Sequence, residues 1–192
     1  MGDMIKMVVV LTVLSAFSGG LLAAIRDNTK EQIEVQQLTF VKGPAIQEIF
    51  KGAGNDPISD RFKLQDGDEE RSFFVGVYDG NPKGVALETY GKGYGGDVGL
   101  MVGIDTETDK IIGVSVTTHS ETPGLGARAK EDPEFTGQFK GLALGDTIAV
   151  TKDGGQVNSI SGATITSRAV ANAAANASDI YTRLKPEIIE NA

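Results

Sequence analysis

The sequence predicts an α+β domain behind a single N-terminal transmembrane helix, and three observations carry that prediction. Met7 to Ile25 is uncharged and mostly apolar, close to the length a helix needs to cross a bilayer. Short β-prone runs between Ser72 and Thr118 are separated by turn sequences, the pattern of antiparallel strands. An alanine-rich stretch, Ala169 to Ser178, then reads as a helix near the end of the chain. Strands followed by segregated helices indicate an α+β class.

Lys6 and Arg26 bracket the apolar run. Ser15, Ser18, Gly19 and Gly20 weaken its helix propensity but suit close packing against other transmembrane helices. A cleaved signal peptide is the rival reading. The apolar run exceeds a usual signal core, Asp3 offsets Lys6 in the leader, and no clear A-x-A site follows, so a retained anchor is expected. Charge does not orient it, because Arg26 and Lys30 are offset by Asp27 and Glu31. Asp27 to Gln37 is polar and helix-compatible and continues the anchor as a stalk. Pro44 to Phe50 has apolar residues at helical spacing, with proline acceptable in a first turn. Gly52 to Glu70 is rich in Gly, Asp, Asn and Pro and reads as loop. These features divide the chain into an anchor over 1–26, a helical stalk over 27–50 and a globular domain over 51–192.

Within that domain, Ser72–Tyr78 and Gly84–Thr89 flank the turn sequence Asp79-Gly80-Asn81-Pro82. Val98–Ile104 and Ile111–Thr118 flank Thr106 to Asp109 and suggest a second hairpin. Asp132 and Pro133 open a short helix ending near Gly141. Asp146–Val150 and Gln156–Ile160 are candidate strands joined over Asp153-Gly154-Gly155. The final helix is expected from about Ser167 to Leu184, stopping before Pro186.

Composition excludes much ordinary chemistry. The 192 residues carry a formal net charge of -8, no cysteine and one histidine, His119. Nucleic acid needs a basic face, so it is not an expected partner. Disulfides, thiolate-held clusters and thiol nucleophiles are absent, and one imidazole does not make a zinc site. Asp66 to Glu70 has metal-like composition but not the order of a calcium loop, and reads as solvated surface, so no metal site is assigned. Redox chemistry would need an imported cofactor.

The most informative segment is Ser161-Gly162-Ala163-Thr164-Ile165-Thr166-Ser167-Arg168. It places four hydroxyls, a glycine and a cation ahead of a helix, where first-turn N–H groups and the helix dipole favour an anion. Gly162 and Ala163 leave the backbone beside Thr164 open to a bulky group, and Arg168 could bond a phosphate. An ordinary turn with Thr166 or Ser167 as N-cap fits the same residues. Spacing alone leaves both open.

Ser-Gly-Ala-Thr-x-Thr-Ser resembles the flavinylation motif of the FMN-binding domain family. In that family the threonine of the core carries FMN through a phosphoester, which the resemblance places on Thr164, with Ser161, Gly162, Ala163, Thr166, Ser167 and Arg168 around it. Asn158 stands where many members have Asp, a departure that touches recognition by the flavin transferase more than the attachment chemistry. His119-Ser120-Glu121-Thr122-Pro123-Gly124-Leu125-Gly126 is similar to a family loop that lies against the flavin. It implies Glu121, Thr122 and Leu125 in the flavin environment, whereas a plain Pro-Gly turn is the ordinary alternative. His119 reads as a strand-end surface histidine. Gly91-Lys92-Gly93-Tyr94-Gly95-Gly96 also resembles the family and lacks the order of a nucleotide loop. The resemblance implies that it lets backbone approach the flavin or the sheet, with Tyr94 a stacking candidate, and a plain glycine hairpin is the alternative.

The family includes the C subunit of the sodium-pumping NADH:quinone oxidoreductase and the G subunit of the Rnf electron-transport complex, and the chain length fits the latter better. The resemblance implies covalent FMN as a one-electron relay, an FMN-binding domain over 51–192, and dependence on an FMN transferase. It also implies the other Rnf membrane subunits as partners, in the inner or sole cell membrane with the domain on the extracytoplasmic side. The sodium-pump C-type role, a catalytic reductase role and an unflavinylated membrane-anchored scaffold are the alternatives.

Overall fold

The computed structural model describes residues 2–192, with side chains throughout except at positions 31 and 34. The Glu31 side chain in the charge balance beside the anchor therefore lies outside the described set. The chain forms two compact units, one running to Thr39 and the other spanning Phe40–Ala192. The first is the helix α1, Gly2–Gln37, so the polar stretch after Arg26 is continuous with the apolar one. Its portion Gly2–Lys30 is long and apolar enough to cross a membrane. Val8, Leu11, Leu14, Phe17 and Leu22 are all exposed, as expected for a helix that is apolar all round. Thr12 and Thr29 donate to the carbonyls of Val8 and Ile25, each at 2.8 Å, so their hydroxyls are satisfied within the helix.

A π-helical turn, Leu38–Lys42, leads into α2, Gly43–Ile49, with Pro44 in its first turn. The centre of the second unit is a five-stranded antiparallel meander: β1 Arg61–Asp66, β2 Glu69–Tyr78, β3 Asn81–Lys92, β4 Asp97–Asp105 and β5 Lys110–Val116. Asp79 and Gly80 both have positive φ, 53° and 80°, so β2 turns tightly into β3 with Tyr78 opposite Asn81. Between β4 and β5 the Asp105 carboxylate accepts from the N–H groups of Glu107 and Thr108 at 2.9 and 2.8 Å.

Strand periodicity sorts the side chains onto two faces. Phe62, Phe73, Leu87, Val102 and Val114 are cross-strand partners in one row on the face covered by α5, Thr164–Asn191. The Phe62 and Phe73 rings stack with centroids 5.5 Å apart. On the other face Gly76 and Gly84 leave room for the Phe50 ring, and Gly103 for Ile49, so α2 covers the sheet closely. α5 packs on β3 and β4 through Ala169, Ala173 and Ala177, small residues that let it come close. At Gly91 a Cβ would overlap the Ala169 backbone. Two short helices, α3 Arg128–Glu131 and α4 Pro133–Gly137, follow the sheet, and Asp132 caps α4 by accepting from the Glu134 N–H at 3.0 Å.

The architecture is the expected α+β, with local corrections. The segment read as loop contains β1, whose inward Phe62 and Leu64 alternate with exposed Arg61, Lys63 and Gln65. Loop-like residues surround it, and edge strands carry charge outward, which hid the period. Asp146–Val150 and Gln156–Ile160 form a single parallel bridge, Val150 to Val157, rather than strands. The chain there closes a 3-10 turn, Thr151–Asp153, into the left-handed Gly154 (φ 87°), too tight for a ladder. α4 ends at Gly137, short of Gly141, and α5 begins at Thr164 and runs through Pro186 to Asn191. Ile188 is fully buried one turn beyond Leu184, and this packing outweighs the hydrogen bond that Pro186 removes.

Candidate functional site

Three connections meet at the N-terminus of α5: the glycine loop between β3 and β4, the segment that follows β5, and the turn before the helix. They enclose a cleft of about 480 Å³, within the range of small-molecule sites. Tyr94, Glu121, Thr122, Leu125, Gly162, Ala163, Thr164 and Thr166 line it, as do Gly126 and Ile165. Tyr94 is 75% exposed at its rim, and Leu125 and Ile165 are about half exposed.

Thr164 is the first residue of α5, and Ala163 is its N-cap, with no side-chain cap hydrogen bond. Neither Thr166 nor Ser167 caps the helix. The N–H groups of Thr164, Ile165 and Thr166 have no acceptor in the helix, since the first intrahelical bond runs from Ser167 N–H to the Ala163 carbonyl at 2.9 Å. The half-buried Thr164 hydroxyl makes no hydrogen bond among the described residues. Gly162, at φ 80°, turns the chain into this start. Buried Ser167 braces the turn: its hydroxyl donates to Ala163 O at 2.9 Å and accepts from Ile160 N–H at 3.0 Å.

Glu121 is 6% exposed and ties the connections together. One carboxylate oxygen accepts from Gly95 N–H at 2.8 Å, and the other accepts from the Thr166 hydroxyl. A Cβ at Gly93 or Gly126 would overlap that carboxylate, so a side chain at either position would displace it. His119 accepts from Glu121 N–H at 3.3 Å through Nδ1, and its ring faces a separate cleft with Phe40, Pro44 and Lys130.

Three expected residues stand elsewhere. Ser161 is exposed and borders a neighbouring groove with Arg128 and Asn158. Ser167 is internal to the turn. Arg168 points away, its guanidinium paired with Asp153 at 2.6 and 2.8 Å. That hydrogen bond holds the Asp153 carboxyl below the usual carboxylate range and raises Arg168. Gly126 and Ile165 belong to the cleft but carry no chemistry that a motif search would select. Among the described residues no cluster of His, Cys, Asp or Glu could hold a metal ion.

The geometry can accept an anion at an uncapped helix end, with a free hydroxyl beside it and apolar side chains around it. The FMN-binding domain family matches residues 93–179, which hold all three connections. The G subunit of the ion-translocating oxidoreductase complex of Methanosarcina acetivorans is 38% identical over 179 residues, covering 92% of this chain and 94% of that one. The chain belongs to the family of G subunits of ion-translocating oxidoreductase complexes. The Vibrio cholerae member is 33% identical over 172 residues, 84% of this chain and 82% of its own.

Solved structures give the same fold. The C subunit of the Na(+)-translocating NADH-quinone reductase from Parabacteroides distasonis superposes with a TM-score of 0.51 at 32% identity, over 59% of this chain and 62% of that one. Shewanella oneidensis NqrC superposes with a TM-score of 0.53 at 26% identity, over 70% of this chain and 72% of its own.

Proposed function

We infer that this chain is the membrane-anchored flavoprotein component of an ion-translocating ferredoxin:NAD oxidoreductase of the Rnf type, and that it relays electrons through FMN esterified to Thr164. The observation that carries this reading is the free Thr164 hydroxyl at the first position of an uncapped 28-residue helix, opening on the cleft. The α5 N–H groups would bond the phosphate, whose charge the positive helix end favours. Leu125, Ile165 and Tyr94 would pack against the ring, and the Thr122 hydroxyl would bond its polar edge. When bound, FMN supplies one-electron transfer.

A covalent link suits such a site. The cleft opens at the surface, and a phosphoester keeps the cofactor at high effective concentration where dilution would otherwise remove it. α1 anchors the chain in the bilayer, with the domain on the extracytoplasmic side of the inner or sole membrane. An FMN transferase would complete maturation, and the other Rnf membrane subunits would cover the exposed rim and exchange electrons with it. Identity of 38% to a G subunit over 92% of this chain supports this assignment over the sodium-pump C-type role.

Peptide mass spectrometry after co-expression with a flavin transferase tests the attachment. The peptide containing Thr164 should gain the mass of one FMN less water. The Thr164 oxygen gives up its proton and bonds the FMN phosphorus as the pyrophosphate P–O bond of a flavin dinucleotide donor breaks and releases a nucleoside monophosphate. Thr164→Ala should abolish flavin fluorescence in a denaturing gel. Fluorescence retained by that variant moves the attachment elsewhere, and no flavin on the wild-type chain favours a scaffold.

A further inference from the structure

We propose that Glu121 is a positioning residue that presets the Thr164 acceptor by holding the first turn of α5 and the Gly93–Gly96 loop on one buried carboxylate. This rests on the assignment of Thr164 as the attachment site and adds what makes that hydroxyl presentable. Both Glu121 oxygens are engaged within the protein, one by Gly95 N–H and one by the Thr166 hydroxyl. Its role is therefore exerted through these partners.

The energetics single this contact out. A carboxylate with 6% exposure is costly unless its lone pairs are satisfied. No cation pairs with Glu121 among the described residues, so two hydrogen bonds and the positive end of α5 offset its burial. The surroundings are shaped for it, since Gly93 and Gly126 leave the space that a Cβ would take. A merely space-filling side chain would need neither glycine nor a hydroxyl at position 166.

The consequence falls on Thr164. Its residue is followed closely by Thr166 in the same helical turn, and the Thr166 link fixes that turn against the loop that bears Thr122 and Leu125. The same carboxylate fixes Gly95 beside Tyr94. The cleft walls are thus held in register before any cofactor arrives. A group-transfer reaction at a hydroxyl is sensitive to such placement, because displacements near 1 Å reduce rates by about a hundredfold.

The test uses the full chain co-expressed with a flavin transferase and follows the fraction of Thr164 peptide carrying FMN over time. Glu121→Ala and Thr166→Val should each slow modification by about tenfold or more, and Thr166→Ser, which keeps the donor, should restore it to within about twofold. Ile188→Ala, at the far end of α5, serves as a control for stability and is matched to the other variants by thermal midpoint. It should be modified at the wild-type rate. Equal slowing in this control, or wild-type rates in both Thr166→Val and Glu121→Ala, would overturn the positioning role while leaving Thr164 as the attachment site. An unmodified wild-type chain would instead remove the attachment reading itself. Should Glu121→Ala not fold, the Thr166→Val and Thr166→Ser pair decides the matter alone.

Discussion

The Thr89 hydroxyl on β3 donates to the Ala173 carbonyl on α5 at 2.7 Å, a buried bond joining residues far apart in sequence. Next to it on the same face, Gly91 lies under the Ala169 backbone. Together these contacts set the height of α5 above the sheet, and with it the position of Thr164 at the end of the helix.

The two contacts should fail differently. Thr89→Val removes a donor, but the Ala173 carbonyl remains an acceptor in its own helix, so the cost should be about 1 kcal/mol. Gly91→Ala forces backbone apart and should cost about 3 kcal/mol, the upper end for overpacking. Chemical denaturation of the detergent-solubilised chain measures both. Only Gly91→Ala should also slow flavin attachment, because it lifts the start of α5.

Arg168 should matter little to the cofactor. Its guanidinium is taken by Asp153 on an exposed surface, where ion pairs contribute weakly. Arg168→Ala should leave the flavinylation rate within about twofold of wild type. A loss comparable to that of Thr166→Val would show that the guanidinium swings to the phosphate.

Acid should loosen the far end of α5. Burial acts to raise the Asp66 carboxyl, but hydrogen bonds from Arg71 at 2.7 Å and Arg183 at 2.6 Å outweigh it and hold the group below its ordinary 3.8. A carboxylate lowered in the folded state stabilises above its unfolded value, and that contribution is lost as pH falls through the folded one. The thermal midpoint of Asp66→Asn should therefore lie below wild type near pH 6. The gap should close as pH drops beneath 3.8. A gap independent of pH would show that the pairing is not electrostatic.

Much of this was legible because it is local. An uncharged run long enough to span a bilayer, Asp79-Gly80 between alternating strands, and Asp132-Pro133 before a helix each state their structure through nearest neighbours. The Ser161–Ser167 turn was open to either an anion site or an ordinary cap, and the structure shows that neither Thr166 nor Ser167 caps α5. β1 was not legible, since its inward residues, Phe62 and Leu64, are too few to show a period and gain their meaning from Phe73 on the partner strand.

By itself the sequence determined the apolar N-terminal helix, the α+β class and the hairpins, because periodicity and turn chemistry act over a few residues. Only the tertiary structure decided which of the four hydroxyls are spoken for. Ser167 is spent on its own turn and Thr166 on Glu121, while Thr164 is left open to the cleft. It also turned Arg168 away to Asp153 and made Glu121 the junction of three connections. These are choices of partner between residues far apart in the chain, which patterns acting over a few residues do not encode.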